Sequence, residues 1–403
     1  MAYTTIKSGV QSSVTALSAN QMPDNDKLLY LLYPFQYPLF QKMYFSTGRK
    51  AEAVYSDTGL FSWFEDELFP NTTTITSTGI AGGAATENIE TFLTLNFLQP
   101  YDILLIEKTQ QMVYCTSITT NTTISTMNGS DLISAASDGV IRKIGTLDHS
   151  FAGVRTAVNT QPIQVSNYLT KFNEAVGMDG RQQGSKTYTN GTSFKEQIKK
   201  KVEEMKLLYE NNFKFSKTSG SKNLTGSDGG TYAATWGKGL LGMITTNIHT
   251  YTTLTEDIVD AFFAAIFSTG GSGVKDLYQG VNQSIAMQKI VKDKVAVAPQ
   301  AIITEYGTRL TKYVMNQGQV NFIWDPTMNN SFNDYGFAVD PDASKPIKLR
   351  YSADDDKGSR KFRVEKHVET PGSDGRLDKL MSDIGIQIPN QEINGILKLA
   401  DGI

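Results

Sequence analysis

Residues 193–213, SFKEQIKKKVEEMKLLYENNF, place apolar side chains at Phe194, Ile198, Val202, Met205 and Tyr209. Spacings of four, four, three and four put all five on one stripe of an α-helix, an arrangement no extended chain could present. The pattern predicts one long amphipathic helix with that stripe in a core. Ser193 and Glu196 form a capping box for its first turn, which would satisfy two free backbone donors. Lys195, Lys199, Lys200, Glu203, Glu204, Lys206 and Glu210 occupy the other faces, which are expected to be wet or to meet a polar partner. Asn211 and Asn212, followed by a Ser/Gly-rich run to Gly230, are expected to end the helix, because these residues favour turns. Such a helix assigns no function by itself.

The rest of the 403-residue chain reads as short strands and Thr/Asn/Gly loops, long enough for two or three domains. With 39% apolar and 20% charged residues it describes a folded, soluble chain. Its 38 basic and 41 acidic residues give a net charge of -3, so no global positive field is available to grip nucleic acid. Cys115 is the single cysteine; it excludes an intrachain disulfide and a cysteine-based metal cluster, and suits a reducing compartment. The opening MAYTTIKSGVQSS lacks the basic start and apolar run of a signal peptide. The apolar segment Leu28 to Phe40 is too short to span a bilayer, and Pro34 and Pro38 interrupt it. It is expected to lie extended against the body or a neighbour, and no membrane anchor is expected.

Residues 1–25 read as a polar arm with no core of its own. An extended segment follows, AEAVYSDTGLFSWFEDEL, with Trp63 and the acidic run Glu65, Asp66 and Glu67; NTTTITSTGIAGGAAT after it reads as a flexible or turn-rich joint. From Thr91 to Lys143 the alternation of Leu93, Leu95 and Phe97, the run Ile103 to Ile106, and Val113 with Cys115 predict a small β-module. FAGVRTAVNTQPIQVSNYL, 151–169, is again β-like, so two extended segments flank the module. After the long helix, Thr253 and Glu256 are expected to open a second one over Ile258 to Phe267, with Phe262, Phe263 and Ile266 in the core. A third is expected over Val281 to Val291. Residues 302–324 read as a hairpin, with Tyr306, Thr308, Leu310, Lys312 and Val314 alternating, a turn at 316–318, and Val320, Phe322 and Trp324 returning.

Candidate chemistry is sparse. The three histidines, His149, His249 and His367, have no metal-ligand spacing. Glu65, Asp66 and Glu67 beside Trp63 could imitate a glycosidase carboxylate site, yet adjacent residues of an extended chain point to opposite faces and no second carboxylate is placed. A solvated face, or pairing with basic residues across an interface, fits them better. GTYAATWGKGL fails as a phosphate loop because Gly230 and Gly237 enclose six residues and Gly239 stands where Ser or Thr is required. Asp354 to Glu365 is a poor calcium loop, with Ser359 at the glycine place. No enzyme activity and no cofactor are expected. An arm, a two-limbed excursion and a long helix bury little in one copy, so their ordering entropy must be recovered from neighbours; this predicts assembly.

The succession YPFQYPLF, SWFEDEL, a β-module, RTAVNTQPIQVSN, KEQIKKKVEEMKLLYENNF, EYGTRLTKYVMNQGQVNFIWDPTM and IQIPNQEINGIL resembles the major capsid proteins of tailed bacteriophages. It is most similar to the branch found in kuravirus-type podophages, with the α+β Hong Kong 97-like fold. The resemblance implies an N-terminal arm (1–27), the apolar segment and first limb of an extended loop (28–78), a β-rich insertion (79–148) and a returning limb (149–192). It further implies the spine helix of a peripheral domain (193–224), an axial domain (225–300), a peripheral-domain hairpin (301–325) and remaining axial and peripheral strands (326–403). Trp63, Glu65, Glu67, Arg155, Asn159, Lys199, Lys200, Glu203 and Glu204 would make contacts between subunits. The function implied is a virion protein that forms pentamers and hexamers of an icosahedral or prolate head around double-stranded DNA, assembled in the bacterial cytoplasm. Implied partners are a separate scaffolding protein, since no long charged helical prosegment precedes the arm, together with a portal, a decoration protein and weakly held DNA. The alternative is another virion component, a tail tube or β-rich adhesive subunit.

Overall fold

A computed structural model of the chain describes residues 37–45, 51–75, 79–89, 98–118, 122–134, 139–148, 155–157, 159–185, 193–226, 228–292, 312–341, 347–354 and 358–400. The expected arm, the alternation of Leu93, Leu95 and Phe97, His149, and Tyr306, Thr308 and Leu310 lie outside the described residues, as do 355–357 of the calcium-loop segment. There are two compact units, Met1–Ser62 with Ser166–Ile403, and Trp63–Val165. The chain begins with α1 (Pro38–Phe45), β1 (Glu52–Val54) and β2 (Leu60–Glu65). The second unit holds β3 (Thr72–Thr74), β4 (Thr86–Ile89), β5 (Asp102–Ile106), β6 (Gln111–Ile118), β7 (Thr122–Thr126) and β8 (Val140–Thr146). Next come β9 (Ile163–Tyr168), β10 (Thr170–Met178), α2 (Gly180–Gly184), α3 (Phe194–Phe215), β11 (Gly220–Thr225), β12 (Thr231–Trp236) and α4 (Leu240–Met243). They are followed by β13 (Ile248–Tyr251), α5 (Glu256–Ser268), β14 (Val274–Gln279), α6 (Val281–Lys292), β15 (Lys312–Met315), β16 (Gly318–Trp324) and β17 (Gly336–Val339). The last elements are β18 (Lys348–Asp354), β19 (Gly358–Ser359), β20 (Arg363–Glu365), β21 (Arg376–Gln387) and β22 (Gly395–Leu399).

The predicted long helix is α3. Ser193 Oγ accepts the Glu196 N–H at 3.3 Å, whereas the Glu196 carboxylate takes Lys199 Nζ at 2.8 Å, so only the Ser193 half of the capping box carries the first turn. Met205 and Tyr209 are buried, with Phe194, Ile198 and Val202 packed at the margin of the same core. Asn211 and Asn212 do not end the helix: it runs on to Phe215, because Phe213 is buried and Phe215 stacks on Phe332 with centroids 4.1 Å apart. Tertiary contact overrides the local preference of the two asparagines.

Glu210 was expected on a wet face and is fully buried. Its carboxylate accepts the N–H groups of Leu39 at 3.0 Å and Phe40 at 2.6 Å and meets Lys214 Nζ at 2.5 Å. Lys214, equally buried, also binds Asp325 and the Thr327 hydroxyl, the latter at 2.8 Å. Burial pushes the Glu210 carboxyl up from its ordinary range; Lys214 opposes this and Asp325 reinforces it. The second departure is α1, in a segment expected to be extended. Pro38 occupies the first helical position, where its missing N–H costs nothing. The next two N–H groups, those of Leu39 and Phe40, donate to Glu210, which caps the helix from α3. Lys42 near the other end of α1 pairs with Asp276 on β14.

The sheet against α3 has the order β1-β18-β21-β10, with β19 on β18 and β20 on β21. β10 pairs antiparallel with β21 along its whole length, from Thr170 opposite Ile384 to Met178 opposite Arg376. A second sheet has the order β13-β22-β17-β14-β16-β15. It is covered on both faces, and the period of two divides its side chains: Leu277, Ala338 and Leu397 join the core made by Val259, Phe262, Phe263 and Ile266 of α5, while Tyr278, Phe337 and Ile396 join the α3 core. The second and third helices match their expected segments, although Thr255 rather than Thr253 stands at the α5 start. The 316–318 hairpin forms as β15–β16, but in this second sheet, beside β14, and not in the sheet that α3 covers. Parallel pairing of β14 with β16 places it there.

In the second unit the order is β3-β8-β5-β6-β7-β4. Its core is Leu104, Ile106, Val113, Cys115, Ile124 and Ile141 together with Ile75 and Ile80, so the segment expected to be a joint contributes a strand and two core residues. Gly82, at φ +79°, lets that segment pass close to Ser134, where a Cβ would lie 2.7 Å from the backbone nitrogen. Burial pushes the Cys115 thiol up to about 11.

Lys214→Met leaves two buried carboxylates without their shared cation and should lower stability by about 3–5 kcal/mol in urea unfolding; a loss under about 1 kcal/mol would contradict the arrangement. Ile75→Ala should cost about 2–5 kcal/mol, whereas a residue in a mere joint would cost almost nothing. Glu52 on β1 accepts Lys348 Nζ at 2.6 Å, and this bond holds its carboxyl below the usual range, with burial opposing and Arg350 assisting. A depressed folded pKa contributes stability above the unfolded value of about 4.3, and that contribution is lost as pH falls through the folded value. The urea midpoints of Lys348→Met and the parent should therefore differ at neutral pH and converge as pH falls through the depressed folded value; a constant gap would contradict the pairing.

Candidate assembly surface

β2 and β9 pair as a two-stranded ribbon. Its base is fixed by polar contacts at the end of β9. Asn167, fully buried, donates to the carbonyls of Lys238 at 3.0 Å and Ile386 at 2.9 Å and accepts the Lys238 N–H at 2.8 Å. Leu169 N–H bonds Gly59 O at 2.8 Å, and Gly59 has a φ of +68° that a side chain would strain. Gly237 and Gly239, in the run that superficially resembled a phosphate loop, serve close packing: a Cβ would lie 2.2 Å from Tyr168 O at the first and 2.5 Å from Asn212 O at the second.

Along β2, Phe61 and Trp63 point to the covered side and Leu60, Ser62 and Phe64 to solvent. Trp63 is buried within its own chain, its indole N–H donating to Glu65 Oε1 at 2.7 Å. The outward apolar residues are Tyr55, Phe64, Leu68 and Ile163, at 83%, 69%, 94% and 69% exposure. Sequence reasoning passed over them. The available signal was that LFSWF is apolar at both phases of a strand, which requires cover on both faces. Asp66 and Glu67 are exposed between Phe64 and Leu68.

The other expected contact residues are distributed over both units. Arg155 donates to Asp102 Oδ1 at 2.7 Å and Pro100 O at 2.8 Å, which ties the returning limb to its own module. Lys143 meets the same buried Asp102 at 2.6 Å. Asn159 is exposed. On α3, Lys199 pairs with Glu196, Lys201 with Glu204 at 2.6 Å, and Lys206 with Glu203 at 2.6 Å, all three residues apart on the helix surface. Lys200 is half-buried and has no ion pair among the described residues.

A cleft of about 390 Å³ opens beside this face of α3, lined by Leu207, Asn211 and Phe215 and by Pro326, Asn330 and Phe332 from the turn after β16. His249 lies 5.5 Å from the Phe262 ring, burial pushing its pKa down, and His367 contacts Glu369 at 3.2 Å. Among the described residues no group of three or more His, Cys, Asp or Glu could hold a metal ion, and no helix is long and apolar enough to cross a membrane.

Residues 4–400 match the family model of the SU10 major capsid protein. No curated protein matches the chain. Among solved structures, the capsid of a native GTA particle is similar at TM-score 0.52 and 9% identity, covering 97% of this chain and 100% of that one. The capsid of an empty GTA particle is similar at TM-score 0.51 and 9% identity, covering 96% and 99%. These likenesses concern the fold alone. The chain belongs to the SU10 major capsid protein family of phage major capsid proteins, and its fold is α+β and Hong Kong 97-like.

Proposed function

We propose that this chain is the shell subunit of a kuravirus-type podophage, assembling in the bacterial cytoplasm through pentamers and hexamers into an icosahedral or prolate head around double-stranded DNA. The observation that carries the reading is the large apolar side chains left exposed in a single copy, Phe64 on β2, Leu68 after it and Ile163 on β9 in the second unit, and Tyr55 in the first. Monomeric proteins rarely leave such surface bare, and a second copy is the partner that a shell protein always has. In this reading α3 and the β1-β18-β21-β10 sheet form the peripheral domain, and the second sheet with α5 and α6 forms the axial domain. The ribbon is the extended loop, with 79–148 as its insertion and 1–27 as the arm. Glu67, Asn159, Lys199, Lys200, Glu203 and Glu204 lie at or near contacts between copies. A separate scaffolding protein, a portal and a decoration protein complete the partners. A net charge of -3 supports weak contact with packaged DNA.

Negative-stain electron microscopy of the full chain, alone and coexpressed with a scaffold, should show closed shells. Open tubes would favour the tail-tube alternative, and soluble trimers the adhesive one. Phe64→Asp combined with Leu68→Asp should abolish shells while shifting the monomer's stability by less than about 1 kcal/mol, since both side chains are exposed. Shells of ordinary yield from that variant would remove the ribbon row from the assembly surface.

A further inference from the structure

The enclosed junction between α3 and the turn after β16 holds more than an ion pair needs. Lys214 Nζ contacts Asp325 Oδ2 and lies 2.5 Å from Glu210 Oε1 and 2.8 Å from the Thr327 hydroxyl. The other Asp325 oxygen, Oδ1, accepts both the Thr327 N–H at 2.9 Å and the Thr327 O–H at 2.6 Å. Glu210, Lys214 and Asp325 are all fully buried, so bulk water has no access to the Asp325 carboxyl carbon. An amine beside a carboxyl carbon, two donors on the oxygen where charge would collect, and a second carboxyl that burial disposes to hold a proton are the parts of an acyl transfer to nitrogen. Lys275 is the contrast within the same chain: it meets buried Asp340 at 2.7 Å and has no second carboxylate partner among the described residues.

We propose that Lys214 and Asp325 condense to an amide within one copy, giving the folded chain a covalent cross-link between α3 and the turn after β16. Nζ passes one proton to Oδ2, and the lone pair so freed attacks Cγ. The C–N bond forms, and charge collects on Oδ1, where the two Thr327 donors hold it. Glu210 takes a second proton from Nζ and returns it to Oδ2. The Cγ–Oδ2 bond then breaks, Oδ2 departs as water with both protons, and Glu210 ends as it began. No oxidant, reductant or co-reactant is consumed. The fold supplies the driving arrangement by holding amine and carboxyl in contact, which replaces a bimolecular encounter. The product exchanges an enclosed ammonium and carboxylate for a neutral amide, so the desolvation cost of both charges disappears. Glu210 keeps the N–H groups of Leu39 and Phe40, and α1 stays capped. The link joins positions 111 apart and does not depend on assembly.

The test is mass spectrometry of the full folded chain. Its intact mass should lie one water, about 18 Da, below the sequence mass, and a tryptic digest should contain residues 207–217 joined to 313–348. Asp325 precedes Pro326, which has no N–H, so the same loss cannot arise by closure of Asp325 on its own backbone. Lys214→Arg keeps the cation and should keep the full mass. Glu210→Gln, checked for cooperative urea unfolding, should lower the joined fraction by about tenfold or more. Trypsin should still cut after Lys275 in the parent. A folded parent at full mass with no joined peptide overturns the cross-link, whatever the variants show. A joined fraction in Glu210→Gln equal to the parent's would remove Glu210 from the step.

Discussion

The buried triad of Glu210, Lys214 and Asp325 sits where every layer of the first unit converges. Lys214 joins the last turns of α3 to the turn after β16, and Glu210 joins the same turns to the start of α1 through two backbone N–H groups. Three charges enclosed together are tolerable only because each oxygen and the ammonium has a partner; removing one partner would expose the desolvation cost of the others. A buried ionic cluster of this kind is a poor source of net stability. It is a good source of register, because an apolar contact can slide whereas a lysine between two carboxylates cannot. The helix, the α1 strap and the second sheet are thereby held in one arrangement.

Two kinds of apolar surface follow from this frame. The middle of the second sheet is enclosed on both faces, α5 on one and the α3 core on the other, so its strands β14 and β17 read as nearly continuous buried runs. The ribbon is enclosed on one face only. Its outward residues are as apolar as core residues and remain in water in the single copy. A domain core and an assembly surface are built here from the same residue types at the same strand period, and only the presence of a covering layer in the chain tells them apart. That is the physical link between the fold and membership in a capsid family.

Much of this was legible. The apolar stripe of α3, the burial of Phe262, Phe263 and Ile266, the β5 and β6 strands and the hairpin turn at 316–318 all follow from local periodicity. The failures share one cause. Glu210, Asn211 and Asn212 were assigned by their own preferences, and these are overruled by residues far away in the chain: Leu39 and Phe40 for the first, Phe332 for the asparagines. Pro38 was read as a breaker of regular structure, although at the first helical position a proline is at no disadvantage. Thr72 to Ile80 looked like a joint because Thr and Gly dominate it, yet its two isoleucines belong to the module's core. Trp63 drew attention as the largest side chain on the limb, while strand alternation put its neighbour Phe64 outside.

The sequence by itself determined which segments are helical or extended and which residues must be covered, since the periods of 3.6 and 2 are properties of the backbone and leave their mark on composition. It also determined the family, through the order of those segments along almost the whole chain. Tertiary structure alone decided which sheet received the 316–318 hairpin, which charges were enclosed, and which apolar face was left for another copy. Those outcomes depend on pairings between residues tens to more than a hundred positions apart, whose energies arise only when the chain has closed upon itself.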